Sequence, residues 1–178
     1  LQTNTIKDLN VLQAFTESRH RISAMALVYE KLYQAPNLAH VDFAEYVRNL
    51  AAYLFRSYRI DSPAIALKLD LADIQLRMDA AIPCGLLLNE LVSNALKHAF
   101  PEGKEGAITI TLRQEDTGQI TLQVSDTGVG FPPGMDFRRT ESLGLQLVTA
   151  LTEQLQGKID RSEEHTSELQ SPYVISYA

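Results

Sequence analysis

Apolar residues recur with helical spacing from about Ile6 to Tyr33, where Phe15, Ile22 and Tyr29 fall seven apart and Met25 and Leu32 repeat that interval between them. The pattern fits a coiled-coil-like seam, and it equally fits an amphipathic helix packed on its own domain. Pro36-Asn37 breaks it. Asp42 can then cap a second helix that carries Phe43, Val47, Leu50, Leu54 and Tyr58 on one face, so the two helices predict a hairpin. Ser62-Pro63 marks a change of pattern. Residues 64–70 and 74–79 read as short strands, and a mostly apolar helix opens at Pro83, where a first turn tolerates a missing N–H, and runs to about Phe100. Strict alternation over residues 107–113 and 119–125 around Asp116-Thr117-Gly118 predicts a β-hairpin. Residues 126–142 form an irregular loop. A helix from Leu143 to about Gln156 and a strand beginning at Gly157 complete the pattern. Together these elements predict an α+β chain: a two-layer α/β sandwich, with a mixed sheet and helices on one face, preceded by a helical hairpin. The expected division is 1–60 for the hairpin, 61–160 for the sandwich and 161–178 for a tail.

The helix beginning at Pro83 carries one polar stripe. At about 100° per residue Glu90, Asn94, Lys97 and His98 share a side, while Leu87, Leu88, Leu91, Val92, Ala95 and Leu96 cover the arc that can face a core. A carboxylate, an amide oxygen and a cation within two turns suit magnesium and phosphate. Asp126-Thr127-Gly128-Val129-Gly130 follows a predicted strand, which puts a carboxylate at a strand end beside glycines that permit close backbone approach. Ser142-Leu143-Gly144 then opens a helix with Ser142 as a candidate N-cap and backbone N–H groups turned toward any anion.

Composition narrows the classes of partner. The 178 residues are 45% hydrophobic and 21% charged, enough for one domain with a helical appendage. A formal net charge of -6, with neither a basic patch nor aromatic interleaving, argues against nucleic acid. Cys84, the single cysteine, excludes a disulfide scaffold and reads as a small buried thiol. No apolar run approaches membrane-spanning length and the first residues show no signal-peptide pattern, so a cytoplasmic location is expected.

Asn89-Glu90-x-x-x-Asn94, Asp126-x-Gly128-x-Gly130 and Gly144-Leu145, in this order, resemble the N, G1 and G2 boxes of the Bergerat ATP-binding fold. That fold is shared by histidine kinases, gyrase-type topoisomerases, mismatch-repair ATPases and heat-shock chaperones. The segment from Glu17 to Tyr33, followed by Val41-Asp42-Phe43-x-x-Tyr46-Val47, resembles the dimerisation region of two-component sensor histidine kinases of the HWE and HisKA type 2 subclass. The similarity runs from about Leu1 to Asp160. It implies an enzyme that uses ATP and Mg2+ to phosphorylate a histidine and passes the phosphoryl group to an aspartate in a response-regulator receiver domain. It also implies a homodimer formed through residues 6–58, and a membrane connection, if any, only through a sensor part outside this sequence. The subclass places its acceptor histidine upstream of the Leu1-Gln2 pair, so the acceptor is expected to be missing here. His20 then reads as a surface or packing residue, and His40 as a loop residue.

The resemblance and the chemistry together assign roles. Asn94 offers Mg2+ a hard oxygen. Glu90 can accept a proton from the attacking nucleophile or hold a magnesium-bound water, and the family favours the base. Lys97 is either a phosphate counter-charge or a solvated lysine at a helix end. His98 is either a ligand to the nucleotide or a neutral packing residue. Asp126 can accept a hydrogen bond from the adenine amine, where guanine presents an oxygen, which favours ATP. Gly128, Gly130, Leu143 and Gly144 complete the expected nucleotide-binding set. Gly134 reads as a turn residue, and Arg138 and Arg139 as either phosphate contacts or a solvated run. Two other readings remain open: an anti-sigma-type serine kinase or ATPase on the same fold, and a dimeric nucleotide-sensing scaffold without catalysis. Residues 161–178 resemble the translation of a sequencing-library adapter. They are expected to be foreign to the fold, with 173–175 pairing opportunistically at an open sheet edge.

Overall fold

Strict alternation of apolar and polar residues suits a strand buried on one side, and the two runs with this pattern lie side by side in the main sheet. In the computed structural model, which describes residues 9–34, 40–58, 65–101, 104–130, 142–161 and 173–177, β4 (Gly106–Gln114) and β5 (Ile120–Asp126) pair antiparallel with Ile110 opposite Val124. Ile108, Ile110, Leu112, Ile120, Leu122 and Val124 are buried, whereas Thr109, Thr111, Thr121 and Gln123 on the other face are half-buried. One apolar face calls for one helical layer. Gly118 closes the connecting turn at φ +86°, a conformation that costs glycine nothing. β2 (Ile65–Leu71) adds parallel to β4, and with β6 (Lys158–Arg161) and β7 (Tyr173–Tyr177) the order is β2-β4-β5-β7-β6, a mixed sheet as expected.

Four helices are described, and the third organises the others. α3 (Met78–Asn94), continued by a π-turn at Ala95–Ala99, buries Leu87, Leu88, Leu91 and Val92. It packs against α1 (Leu9–Gln34), α2 (Phe43–Ser57) and α4 (Leu143–Gln154). The helix starts at Met78, earlier than the sequence suggests, so Pro83 lies inside it and not in its first turn. Asp79 in the first turn favours a helix N-terminus there, and the expected 74–79 strand shrinks to β3 (Gln75–Arg77). β3 pairs with β1 (His40–Asp42) in a separate two-stranded sheet.

α1 and α2 precede the sandwich in the chain, and α2 also belongs to its core. The Asp42 carboxylate caps it by accepting from the Glu45 N–H at 2.8 Å, as the sequence predicts. Its buried face of Phe43, Tyr46, Val47, Leu50 and Leu54 shares one hydrophobic cluster with Leu87, Leu88, Ile110 and Leu122. The Tyr46 hydroxyl donates to the Ala24 carbonyl of α1 at 3.1 Å, and Gly85 makes room for its ring, since a Cβ there would collide with the phenol.

The sheet does not end after β6, which corrects the reading of residues 173–175 as a strand added at an open edge. The backbone of Tyr173–Tyr177 lies inside the sheet, with Val174 opposite Gln123 of β5 on one side and Asp160 of β6 on the other. Without β7 the outer edge of β5 would present a row of unpaired backbone groups, and Tyr-Val-Ile-Ser-Tyr has the β-branched and aromatic composition that fills such a place. Deleting residues 162–178 should therefore detach β6 and lower the melting temperature by about 5 °C or more. An unchanged thermal transition by circular dichroism would show that β7 contributes nothing to the folded chain.

Candidate functional site

The leucines that drive α3 into the core turn its polar stripe toward α1, and the stripe is occupied by protein charges there. Glu90 is 6% exposed, and a carboxylate so buried needs charged or hydrogen-bonding partners. Its Oε1 accepts from Arg21 Nε at 2.7 Å and Asn89 Nδ2 at 3.0 Å, and its Oε2 accepts from Arg21 Nη2 at 2.8 Å. The bidentate bond to Glu90 is the first cause that raises the Arg21 guanidinium above its ordinary range. Two turns further on, Lys97 Nζ donates to Glu17 Oε1 at 2.6 Å and lies 5.9 Å from the centre of the Tyr58 ring. Asn94 is half-buried between these two pairs in sequence. His98 is exposed on the π-turn, and its pKa is lowered, first by partial desolvation and then by the charge of Lys97.

Asp126 ends β5 and is itself 6% exposed. Burial pushes its carboxyl above the usual range, while the Gly128 N–H, donating to Oδ1 at 2.9 Å, pulls the other way. The loop behind it is fixed to α3. Val129 N–H donates to the Ala99 carbonyl at the end of the π-turn at 2.8 Å, and a Cβ on Gly128 would run into that same carbonyl. At the start of α4, a Cβ on Gly144 would lie 2.7 Å from Glu90 Oε2. Gly128 and Gly144, expected to let a ligand approach, thus also let the three motif segments touch one another. Gly130 adopts φ +71°, and Leu143, the first residue of α4, is exposed. Ser142 stands at the N-cap, though its side chain makes no capping bond.

The structure therefore gathers Glu90, Asn94, Lys97, Asp126, Gly128 and Gly144 onto elements in mutual contact. Arg138, Arg139 and Gly134 lie outside the described residues. His20 is a packing histidine, 1% exposed, with Nδ1 3.2 Å from the Tyr58 hydroxyl and its pKa lowered chiefly by desolvation. His40 is exposed at the start of β1, not in a loop. Sequence reasoning missed Arg21 and Glu17 as site residues. The available signal was their i, i+4 spacing and opposite charge, off the Phe15–Ile22 seam and complementary to Glu90 and Lys97. Among the described residues no group of three or more His, Cys, Asp or Glu could cage a metal ion, and no helix is long and apolar enough to cross a membrane.

The chain is similar to known proteins over most of its length. Residues 1–58 match the family described as histidine kinase, and residues 80–171 match the histidine kinase-, DNA gyrase B- and HSP90-like ATPase family. The sensor histidine kinase PdtaS of Mycobacterium tuberculosis is 30% identical over 162 residues, 89% of this chain and 32% of the relative. Blue-light-activated histidine kinase 2 of Erythrobacter litoralis is 26% identical over 151 residues, 82% of this chain and 43% of the relative. The chain thus spans about a third of the length of PdtaS. A histidine kinase domain from the Erythrobacter litoralis EL346 blue-light activated kinase has the same fold, with a TM-score of 0.79 at 21% identity over 90% of this chain and 74% of that one.

The raised carboxyl of Asp126 has a measurable sign. A folded-state pKa above the unfolded value gives stability that is present at acid pH and lost as pH rises through the folded value. Asp126→Asn keeps an oxygen for the Gly128 N–H and removes the buried charge, so it should be more stable than the parent at neutral pH, with the difference shrinking on acidification. Urea unfolding at both pH values checks this, and a difference independent of pH would dismiss the assignment.

Proposed function

The chain belongs to the histidine kinase-, DNA gyrase B- and HSP90-like ATPase family, with a histidine kinase segment ahead of that domain, and we propose that it is the ATP-binding and catalytic part of a sensor histidine kinase. The intact enzyme transfers the γ-phosphoryl group of ATP to a histidine, and from there to the aspartate of a response-regulator receiver domain. The observation that carries this reading is the convergence of Glu90 and Asn94 on α3, Asp126 on β5 and Gly144 on α4, through contacts that each depend on a missing side chain.

In this reading Asp126 receives the adenine amine, and its burial makes an unmatched base costly. The half-buried Asn94 offers an amide oxygen that suits Mg2+, an ion that keeps most of its waters and needs no protein cage. Bound Mg2+ would neutralise charge on the phosphates. Lys97 and His98 sit one turn beyond Asn94, in reach of the phosphate end. Gly130 and Leu143 complete the nucleotide-binding set, and the first N–H groups of α4 face anionic oxygens. Glu90 takes the proton released by the attacking histidine nitrogen. The catalytic part works in the cytoplasm, where ATP is supplied.

The dimer forms along α1. Phe15 is 56% exposed and Ile22 66% exposed, with Val11 and Met25 continuing the same exposed line, whereas the apolar face of α2 is spent inside the domain. Ile22→Glu should turn a dimer into a monomer in analytical ultracentrifugation; a monomeric parent would remove the seam.

Asn94→Ala should weaken magnesium-dependent ATP binding roughly tenfold, and Asp126→Asn should weaken ATP more than GTP. In a chain extended upstream to include the acceptor, Glu90→Gln should bind ATP yet lose roughly a hundredfold or more of the rate at which radiolabel moves from ATP to protein. Unchanged calorimetric affinity in the first two variants would refute the site, and full labelling by the third would refute the base.

A further inference from the structure

On the reading of α3 as the phosphate-facing helix, the charges that α1 sets against its polar stripe bear directly on ATP binding. Glu17 and Arg21 stand one turn apart on α1 and reach across to Lys97 and Glu90, two turns apart on α3. The signs are complementary at both points, so α1 supplies the carboxylate to the lysine and the guanidinium to the carboxylate. Both oxygens of Glu90 are taken by Arg21, and Oε1 carries a further donor in Asn89. A carboxylate engaged in this way is not placed to accept a proton from a nucleophile. Lys97 is likewise turned to Glu17, with the Tyr58 ring beside it.

We propose that α1 is a two-point latch on the catalytic helix, in which Glu17 competes with the ATP phosphates for Lys97 while Arg21 withholds Glu90 from the chemical step. Latched and nucleotide-engaged forms then exclude one another in part, and release of α1 frees both groups together because they are gripped by one turn of one helix. α1 also bears the exposed line of Val11, Phe15, Ile22 and Met25 on another side, so a change along that seam moves the same rigid rod that holds the latch. Linkage fixes the reciprocal effect: whatever factor undocking α1 adds to ATP affinity, ATP must add to the undocking of α1.

The test uses the full chain and Mg-ATP. Glu17→Gln should raise Mg-ATP affinity in calorimetry by roughly fivefold, and in a Lys97→Gln background the same substitution should change nothing. Hydrogen exchange of the α1 backbone between Thr16 and Ala24 should quicken in Arg21→Gln, and in the parent on adding Mg-ATP. Because Arg21→Gln leaves Glu90 buried without its partner, a second variant leaves that pair intact: with Glu17→Lys and Lys97→Glu together, α1 should stay protected from exchange while Mg-ATP affinity falls. If Lys97→Gln weakens ATP but Glu17→Gln leaves affinity unchanged or lower, the phosphate reading stands and the latch falls. If Lys97→Gln has no effect on ATP, the phosphate role of Lys97 falls and the competition with it.

Discussion

A carboxylate that is almost wholly removed from water must meet a positive charge within the protein, and in this chain Glu90 meets Arg21. Taking both ions out of water costs several kcal/mol each, so the pair adds little net stability, whereas losing one partner costs about 3 kcal/mol or more. That asymmetry makes the pair a constraint on arrangement. α1 must lie where its guanidinium reaches the middle of α3, which in turn sets Ala24 beneath the Tyr46 hydroxyl and His20 against Tyr53 and Tyr58. The polar centre of the site and the packing of the first two helices are one problem with one solution.

The same economy governs the glycines. The chain brings a strand end, a helix end and a helix start to one place, and each junction is closed by a position without a side chain. At Gly128 the backbone rests on the Ala99 carbonyl, which the π-turn leaves directed at the loop and which Val129 then caps. Ala99 closes the helical segment, and the last carbonyls of any helix have no partner within it. Here that carbonyl ties the loop after Asp126 to the helix that carries Asn94, so that the two residues are held by a shared piece of backbone.

Much of this was legible in the sequence because it depends on local pattern. The alternation through Ile108–Leu112 and Ile120–Val124, the Asp42 cap, the glycine turn at Gly118 and the polar stripe of α3 all express one element's own periodicity. What escaped depends on contacts between elements distant in the chain. Pro83 suggested a helix start, yet Asp79 and the pairing of β1 with β3 start the helix at Met78. The helical hairpin was readable as two helices, but nothing local says that Phe43, Tyr46 and Leu50 face α3 and belong to the core of the sandwich. Arg21 was visible as one charge among several on a surface helix. Its role depends on a residue 69 positions away. Residues 173–175 read as a strand added at an open edge, and composition does not tell a strand at the sheet edge from one inside it.

The ambiguity of the first helix has a structural cause. Its apolar spacing fits both a seam for another helix and a face packed on its own domain, and α1 carries an exposed apolar line as well as a buried face. Phe15 and Ile22 stand in solvent on one side, while His20 and Ala24 are buried on another with Glu17 and Arg21 reaching α3 between them. Two partly apolar faces on one helix blur the periodicity that either alone would make clear, because each places hydrophobic residues where the other calls for polar ones. A helix so divided is a poor candidate for isolated stability and a good one for transmission, since neither face can be repositioned without moving the other.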